Sequence, residues 1–249
     1  MTTAPQASPS TRRERWGWYL YDFGNSAYAS VILLAVYSAY FQGKVVGGAE
    51  GSRWWGIAVA IAMLVVALAA PVLGAIADFA GTKKRFLLFF TAMACIFTAG
   101  LFFAKPGYFL VGIVVFILAE IGYRSAQVFY NGLLPEIATQ EEMGRVSGNG
   151  WAIGTAGGVV CLLLVLGLIK GLEGRFADDT LLIRLSFIIT ALFFAISALP
   201  IFFWLRERAQ PQALPDGKNY LTVAFKQLGQ TIRKTRHFRE FLKFMIAFL

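Results

Sequence analysis

The chain has 249 residues, of which 57% are hydrophobic and only 15% are charged. A water-soluble domain carries roughly 25% charged residues because its surface faces water, so this composition excludes an ordinary soluble protein. The formal net charge of +9 would suit a nucleic-acid-binding protein, but no stretch interleaves the basic residues with aromatic ones. We therefore expect a protein whose partner is the lipid bilayer and not a nucleic acid.

Residues 1–15 are polar and include several Ser, Thr and Pro residues, so we predict a disordered cytoplasmic tail there. Residues 16–205 contain six apolar blocks, and a helix of about 20 residues crosses the ~30 Å hydrocarbon core. The sequence thus predicts an all-α integral membrane protein with a six-helix bundle. The predicted spans are approximately Trp18–Phe41, Trp54–Ala77, Phe86–Ala104, Tyr108–Val128, Asn149–Ile169 and Leu181–Leu205.

Residues 206–240 form a basic linker in which Leu221, Phe225 and Leu228 recur at helical spacing. The pattern favours an amphipathic helix on the cytoplasmic membrane surface, and a helix packed on the ends of the spans fits it as well. Residues 241–249 are apolar but too short to cross a membrane. We interpret them as the truncated start of transmembrane helix 7, which makes a missing C-terminal six-helix half an expected partner.

The basic residues are distributed unevenly between the two sides of the predicted bundle. With the amino terminus inside, 15 Lys and Arg residues fall on the inner side and six on the outer side. Cytoplasmic loops carry the excess of such residues in membrane proteins. We therefore predict a multi-pass protein of the cell (inner) membrane with a cytoplasmic amino terminus.

Polar residues interrupt the first predicted span. Asp22, Asn25 and Ser26 fall at i, i+3 and i+4, which places them on one helix face, and Tyr28 follows closely. A charge at the bilayer centre costs about 3 kcal/mol on insertion scales, so a retained one usually faces a partner or a water-filled path. We predict that this face lines a substrate or ion pathway. The alternative is an interfacial carboxylate that reaches out to water.

A second polar cluster lies in the fourth predicted span, where Glu120 and Arg124 form an i, i+4 pair and Gln127 and Asn131 follow. We hypothesise that Asp22, Glu120 and Arg124 line one cavity for a small-molecule substrate and exchange partners as it opens. A static pair that only fixes helix packing is the alternative. No cofactor or metal is expected, apart from a coupling proton or cation.

Glycines recur in the fifth predicted span. Gly150, Gly154 and Gly158 are four residues apart and so follow one stripe of a helix. Missing side chains along a stripe let another helix approach closely. Close packing is sufficient to explain the pattern, and a sliding surface is the more specific interpretation.

The connection between the second and third spans combines glycine with charge. We predict a tight, glycine-bounded turn that holds a carboxylate beside cations and acts as a gating loop. Its residues are Gly74, Asp78, Gly81, Lys83 and Lys84.

This loop resembles the signature G-x-x-x-D-R-x-G-R-R-K that joins helices 2 and 3 in the major facilitator superfamily. Phe79 stands where that pattern has an arginine, and Thr82 replaces another basic residue. The resemblance implies a charge relay in this loop that is weakened or supplied from elsewhere.

Further segments are similar to the vacuole-effluxer-like branch of that superfamily, which is related to the autophagy-linked amino-acid effluxer of fungal vacuoles. They are WGWYLYDFGNSAY (Trp16–Tyr28), FYNGLLPEIA (Phe129–Ala138) and GRVSGNGWAIGTAGG (Gly144–Gly158). The resemblance implies the N-terminal half of a twelve-helix secondary transporter, with helices 1 and 4 lining the central cavity and amino acids as substrates. NGLLPEIA also resembles the glycoside–cation symporters, so sugars stay an alternative.

Other function classes find less support in the sequence. An embedded enzyme would need a nucleophile–base or metal-ligand set, and the sequence has no HExxH, GxSxG or clustered Cys and His residues. We therefore expect a protein that is not an enzyme. A nontransporting membrane receptor or half-size partner is the alternative to a transporter.

Overall fold

The computed structural model describes residues 10–208 and confirms the predicted all-α membrane architecture. Within this part of the chain, six helical segments are long and apolar enough to cross a membrane, and no β-strand occurs. Each predicted block overlaps one of them. The segments are Arg12–Val46, Gly48–Ala80, Lys83–Phe103, Phe109–Ile137, Gln140–Gly171 and Leu181–Trp204.

The second, fifth and sixth segments are single long helices, the fourth contains a long and a short helix, and the first is composite. It continues from α1 through a π-helical stretch (Ala29–Ala35), one turn of α2 and a second π-helical stretch (Phe41–Val46). A 3₁₀ turn at Leu101–Phe103 ends the third segment. The helices are α1 (Arg12–Tyr28), α2 (Tyr37–Tyr40), α3 (Gly48–Ala80), α4 (Lys83–Gly100), α5 (Phe109–Gly132), α6 (Leu134–Ile137), α7 (Gln140–Gly171) and α8 (Leu181–Trp204).

The first helix begins earlier than the sequence suggested. Residues 12–15, assigned above to a disordered tail, are the first turn of α1. A capping box explains the difference: the Thr11 hydroxyl accepts a hydrogen bond from the backbone of Glu14, and the Glu14 side chain accepts one from the backbone of Thr11. Glu14 is only 3% exposed, so this turn is part of the packed bundle.

The predicted linker and the predicted start of helix 7 lie mostly outside the described residues. Residues 205–208 follow α8 as irregular chain that returns to the bundle. The predicted amphipathic helix within 206–240 begins after this stretch and lies outside the described residues. The predicted start of transmembrane helix 7 at 241–249 also lies outside them.

Helix packing places α1 next to the site described below. α1 packs along α7 and α8, whereas α4 packs along α5 and α8. α3 rests mainly on α5, and α5 touches α1 only sparingly. The backbones of α1 and α5 therefore stay apart, and aromatic side chains such as Trp18 and Tyr130 meet between them.

An aromatic cluster holds the other half of the bundle together. The ring of Tyr37 stacks on Phe116 with centroids 5.6 Å apart and meets Phe187 edge-on at 5.3 Å. Trp55 packs on Phe116 at 4.4 Å. The Tyr37 hydroxyl donates a hydrogen bond to the carbonyl oxygen of Gly112 at 2.9 Å, so its one polar group is satisfied in an apolar core.

The glycine stripe of α7 faces α1. Gly150, Gly154 and Gly158 are all buried on this face. A Cβ atom at Gly150 would overlap the indole ring of Trp18, and one at Gly154 would overlap the carboxylate of Asp22. The absence of side chains on α7 therefore lets two bulky or charged residues of α1 lie directly against its backbone.

The closest contact of this kind predicts a measurable loss of stability. A Cβ at Gly157 would collide with the carbonyl group of Phe23, so Gly157→Ala must push α1 away from α7. We expect overpacking of about 1–3 kcal/mol to exceed the gain of about 1 kcal/mol in helix propensity. The midpoint of thermal unfolding of the full-length protein in detergent, followed by circular dichroism, should fall.

Gly167→Ala is the matched control for this change, because Gly167 lies on the same helix and its Cβ would meet nothing within 4 Å. That variant should unfold at or slightly above the temperature of the parent. Equal midpoints for Gly157→Ala and Gly167→Ala would contradict the close approach of α1 and α7.

Candidate functional site

A cavity of about 190 Å³ lies between α1, α5 and the first half of α7, and we call it the Asp22 pocket. It contains three residues that the sequence predicted for a substrate pathway, together with aromatic residues and a hydroxyl. Its lining residues are Trp18, Asp22, Gln127, Tyr130, Asn131, Ser147 and Trp151.

The packing of α1 on α7 places Asp22 in this pocket. Its carboxylate lies against the Cα atom of Gly154, and Ser26 contacts the same glycine. Asn25 is instead only 2% exposed, and its Oδ1 atom has no hydrogen-bond partner among the described residues. The polar face predicted for the first span is therefore divided between the surface of α7 and a buried position.

Glu120 and Arg124 form the ion pair that their spacing predicts. Nε of Arg124 donates to Oε1 of Glu120 at 2.8 Å. The Glu120 side chain is completely buried, whereas that of Arg124 is 33% exposed. A buried carboxylate without a cation is strongly unfavourable, so Arg124 compensates the charge of Glu120 while presenting part of its own surface outward.

Tyr123 connects the two polar clusters, although it was not among the predicted site residues. Its ring stacks on Tyr28 with centroids 4.4 Å apart, and its hydroxyl accepts a hydrogen bond from Nε2 of Gln127 at 3.1 Å. The guanidinium of Arg124 lies 5.4 Å from the same ring. The spacing of Tyr123 and Gln127, at i and i+4, is the sequence signal that would have identified it.

The structure therefore assembles the predicted residues in two places. Asp22, Gln127 and Asn131 line one pocket, whereas Glu120 and Arg124 are not among its lining residues. The exchange of partners between Asp22 and the ion pair stays a prediction.

Three aromatic residues of the Asp22 pocket were also missed from sequence. Trp18 stacks on Tyr130 with centroids 4.4 Å apart and an interplanar angle of 10°, and its Nε1 donates to the carbonyl oxygen of Tyr130 at 3.2 Å. Trp151 of α7 also lines the pocket and is 74% exposed. Trp18 lies four residues before Asp22 and one helical turn away, a spacing that places both on the same face of α1.

A second polar site closes the end of the bundle at which α1 begins. Nζ of Lys83 lies 3.0 Å from Asp78 and 3.3 Å from Glu136 of α6. One ammonium group therefore joins the end of α3 to the short helix that follows α5. The side chains of Lys83 and Glu136 are 15% and 9% exposed, so solvent screens their pair less than a surface pair, whereas Asp78 is 64% exposed.

The chain beyond α8 completes this second site. The carboxylate of Glu207 accepts hydrogen bonds from the backbone N–H groups of Lys83 at 2.5 Å and Lys84 at 3.2 Å. N–H groups in the first turn of a helix have no acceptor within the helix, so the Glu207 carboxylate satisfies two of them in α4. Burial raises the pKa of the Glu207 carboxyl, and the two hydrogen bonds act in the opposite direction. The loop between α3 and α4 lacks two basic residues of the major facilitator signature. A carboxylate from the chain that follows α8 holds this loop in place.

The same segment also returns to α1. The guanidinium of Arg208 lies 3.0 Å from the carboxylate of Glu14, and its backbone N–H donates to Glu136 at 2.6 Å. The backbone N–H of Arg206 donates to Glu14 at 3.1 Å. Residues 206–208 therefore connect the ends of α1, α4 and α6.

The geometry of the loop differs from the prediction in one respect. Gly74 and Asp78 both lie inside α3, so the prediction that Gly74 bounds a tight turn is wrong. The residues around Gly74 continue the apolar helix, and α3 stops only at Gly81. Gly81 has the left-handed φ of 59°, which glycine adopts without strain, and its N–H donates to the carbonyl oxygen of Ala77.

The comparisons with known proteins agree with this architecture. Residues 55–249 match the family model described as vacuole effluxer Atg22 like. The chain belongs to this family. No solved structure gives a significant match to the chain.

Curated relatives of this Atg22-like chain include a protein named as a transporter, a multidrug resistance protein and autophagy-related proteins. It is 28% identical over 244 residues to the uncharacterized MFS-type transporter YxiO of Bacillus subtilis, covering 96% of this chain and 56% of YxiO. It is 30% identical to the multidrug resistance protein MdtG of Dickeya zeae over 72% of this chain and 41% of MdtG. Autophagy-related protein 22-1 of Aspergillus niger is 33% identical over 41% of this chain and 17% of that protein. The chain thus spans about half the length, or less, of these relatives.

The buried ion pair of this Atg22-like chain predicts a compensating pair of substitutions. Arg124→Gln leaves Glu120 buried without a cation and should lower the free energy of unfolding by about 3–5 kcal/mol. Combining it with Glu120→Gln removes the uncompensated charge, so the double variant should regain most of that loss. Unfolding midpoints of the full-length protein measure both effects, and a double variant as unstable as Arg124→Gln would contradict the pairing.

The contacts of Glu207 predict a local effect on α4. Glu207→Ala removes the acceptor for two backbone N–H groups, a change comparable to losing a helix cap, which costs about 0.5–2 kcal/mol. Amide hydrogen exchange in the first turn of α4 should become faster. Glu173→Ala, which removes only an exposed pair with Lys170, is the control and should leave that exchange unchanged. Identical exchange in the two variants would contradict the capping role.

Proposed function

We propose that this chain is the amino-terminal half of a secondary active transporter that moves an amino acid across a cell membrane by alternating access. The observation that carries the proposal is the Asp22 pocket, a polar cavity with a carboxylate inside an otherwise apolar bundle. A polar group at membrane depth is costly and persists where it faces a partner or a water-filled path. A solute pathway provides such an environment.

The outer surface of α7 supports this proposal. Ser147, which lines the pocket, and Asn149 are exposed on this helix. Hydrocarbon would not solvate these groups, whereas a water-filled cavity or a second helical bundle would. We infer that this surface faces the pathway and a second six-helix half, with substrate bound where the two halves meet.

The distribution of charge supports the orientation and the coupling that we propose. The excess of Lys and Arg on the side of the amino terminus supports a cytoplasmic location for that end in the cell (inner) membrane. The buried Glu120–Arg124 pair beside the pathway offers a carboxylate for a coupling proton or cation. A substrate that competes for Arg124 would change the environment of Glu120. Such competition is one way to couple movement of the substrate to movement of the proton or cation.

The proposal of an amino-acid substrate rests on the resemblance of the first span to the amino-acid effluxer branch, and the match to a family model described as vacuole effluxer Atg22 like supports efflux of a solute. The relatives named as an MFS-type transporter and as a multidrug resistance protein support transport as the activity without fixing the solute. Sugars are therefore the second arm of the test.

The test is uptake and efflux of a labelled amino-acid panel by the full-length protein in proteoliposomes, with and without a proton gradient. We expect gradient-dependent movement that Asp22→Asn reduces at least severalfold, because a neutral amide cannot replace the charge in the pocket. The Glu120→Gln and Arg124→Gln double variant, stable by the argument above, should lose accumulation against the gradient.

Two outcomes would contradict parts of the proposal. Movement of sugars but of no amino acid would replace the substrate and leave the transporter assignment in place. No movement of either class by a correctly folded protein would contradict transport itself and favour a receptor.

A further inference from the structure

We propose that the Asp22 pocket binds the ammonium group of the transported solute, with Asp22 as its counter-ion and the indole ring of Trp151 as a cation–π wall. This inference rests on the proposed transport function and assigns one end of the substrate to a defined place. It follows from the charge balance of the bundle, the chemistry of the pocket walls and the exposure of one ring.

Charge compensation distinguishes Asp22 from the other carboxylates of the spanning helices; Glu141, which also forms no salt bridge, is exposed in the first turn of α7. Glu120 is paired with Arg124, and Asp78 with Lys83. Over residues 10–208, Asp22 forms no salt bridge with any basic side chain. A carboxylate largely removed from water and lacking a protein cation produces a local negative potential that attracts a cation from outside.

The walls of the pocket suit a cation that also donates hydrogen bonds. Gln127, Asn131 and Ser147 add neutral oxygen acceptors around the carboxylate, and the pocket lining contains no Lys or Arg. A carboxylate or phosphate group would find no positive partner there. A primary ammonium has three donors and a positive charge, so it matches both properties of the lining.

The aromatic residues have different roles that follow from their packing. Trp18 and Tyr130 stack on each other, and Tyr130 also stacks on Tyr21 with centroids 4.9 Å apart. Their ring faces are therefore largely occupied, and they form a rigid wall. No ring in the described part of the chain packs on Trp151, which is 74% exposed. Its face is available to a cation, and tryptophan is the strongest cation–π partner among aromatic side chains.

A neighbouring turn of α5 offers a partner for the carboxylate group of an amino acid. Arg124 precedes the pocket residue Gln127 by three positions, about 4.5 Å along the helix axis, on a neighbouring part of the same face. A solute that places its ammonium beside Asp22 can direct its carboxylate towards this partly exposed guanidinium. The two ends of a zwitterion would then have separate, oppositely charged sites.

The test compares solutes that differ in one charged group, using the unfolding midpoint of the full-length protein in detergent as a measure of binding. L-Alanine and L-leucine carry both groups, ethylamine and isoamylamine only the ammonium, and propionate and 4-methylpentanoate only the carboxylate. A ligand present well above its Kd should raise the midpoint by about 2–4 °C. We expect this rise with the amino acids and the amines and not with the two acids.

Two variants locate the effect. Asp22→Asn keeps the size of a side chain that packs against Gly154 but removes its charge, and it should weaken amine binding roughly tenfold or more. Trp151→Leu, at an exposed position that does not threaten folding, should weaken it about threefold to tenfold. Trp16→Leu is the matched control, since Trp16 is an exposed indole of α1 outside the pocket, and it should bind as the parent does.

The results separate this inference from the proposed function. Transport of amino acids with unchanged amine binding in both pocket variants would overturn the inference and leave the transporter assignment standing. Binding of the desamino acids but not of the amines would also overturn it. Amine binding that depends on Asp22 and Trp151 would support the inference even if the reconstituted protein moved no solute. That absence of movement would contradict the proposed transport function but not the binding site.

Discussion

The close packing of α1 on the glycine face of α7 is the contact on which the rest of the site depends. Gly154 leaves room for the carboxylate of Asp22, and Gly150 leaves room for the ring of Trp18. With larger residues on α7, the two helices would separate and both side chains would lose their positions. The same contact therefore stabilises the bundle and forms one wall of the Asp22 pocket.

Two carboxylates at membrane depth differ in how their charge is compensated. Glu120 is fully buried and has an internal cation in Arg124. Asp22 borders a cavity and has no ion-pair partner in the described part of the chain. In a medium that solvates charge poorly, Glu120 has a cation within the protein, although its Oε2 has no hydrogen-bond partner among the described residues. Asp22 has no such cation and requires a cation, a proton or water from outside. This difference is the physical basis for proposing that the two clusters have separate roles in transport.

The features that follow from local spacing could be predicted from the sequence. The six spans follow from the length of apolar blocks, and the Glu120–Arg124 pair follows from i, i+4 geometry. Tyr123 was missed although its i, i+4 spacing to Gln127 lies within one span. Trp151 was missed because its role depends on which helices become neighbours, and a single span carries no such information. Gly74 was misplaced for a related reason: a glycine inside a lipid-facing helix looks the same in sequence as one that bounds a turn, and only the left-handed φ of Gly81 distinguishes the true helix end. The role of Glu207 likewise depends on a contact between segments more than a hundred residues apart.

The most direct test of the central claim is an experimental structure of the full-length protein, determined without solute and with isoamylamine bound. We predict that in the solute-free structure the carboxylate of Asp22 forms no ion pair with a Lys or Arg side chain of the protein. We also predict that the amine nitrogen lies within hydrogen-bonding distance of that carboxylate and beside the ring of Trp151. An ion pair between Asp22 and a Lys or Arg from another part of the protein, with the amine bound elsewhere, would contradict this claim.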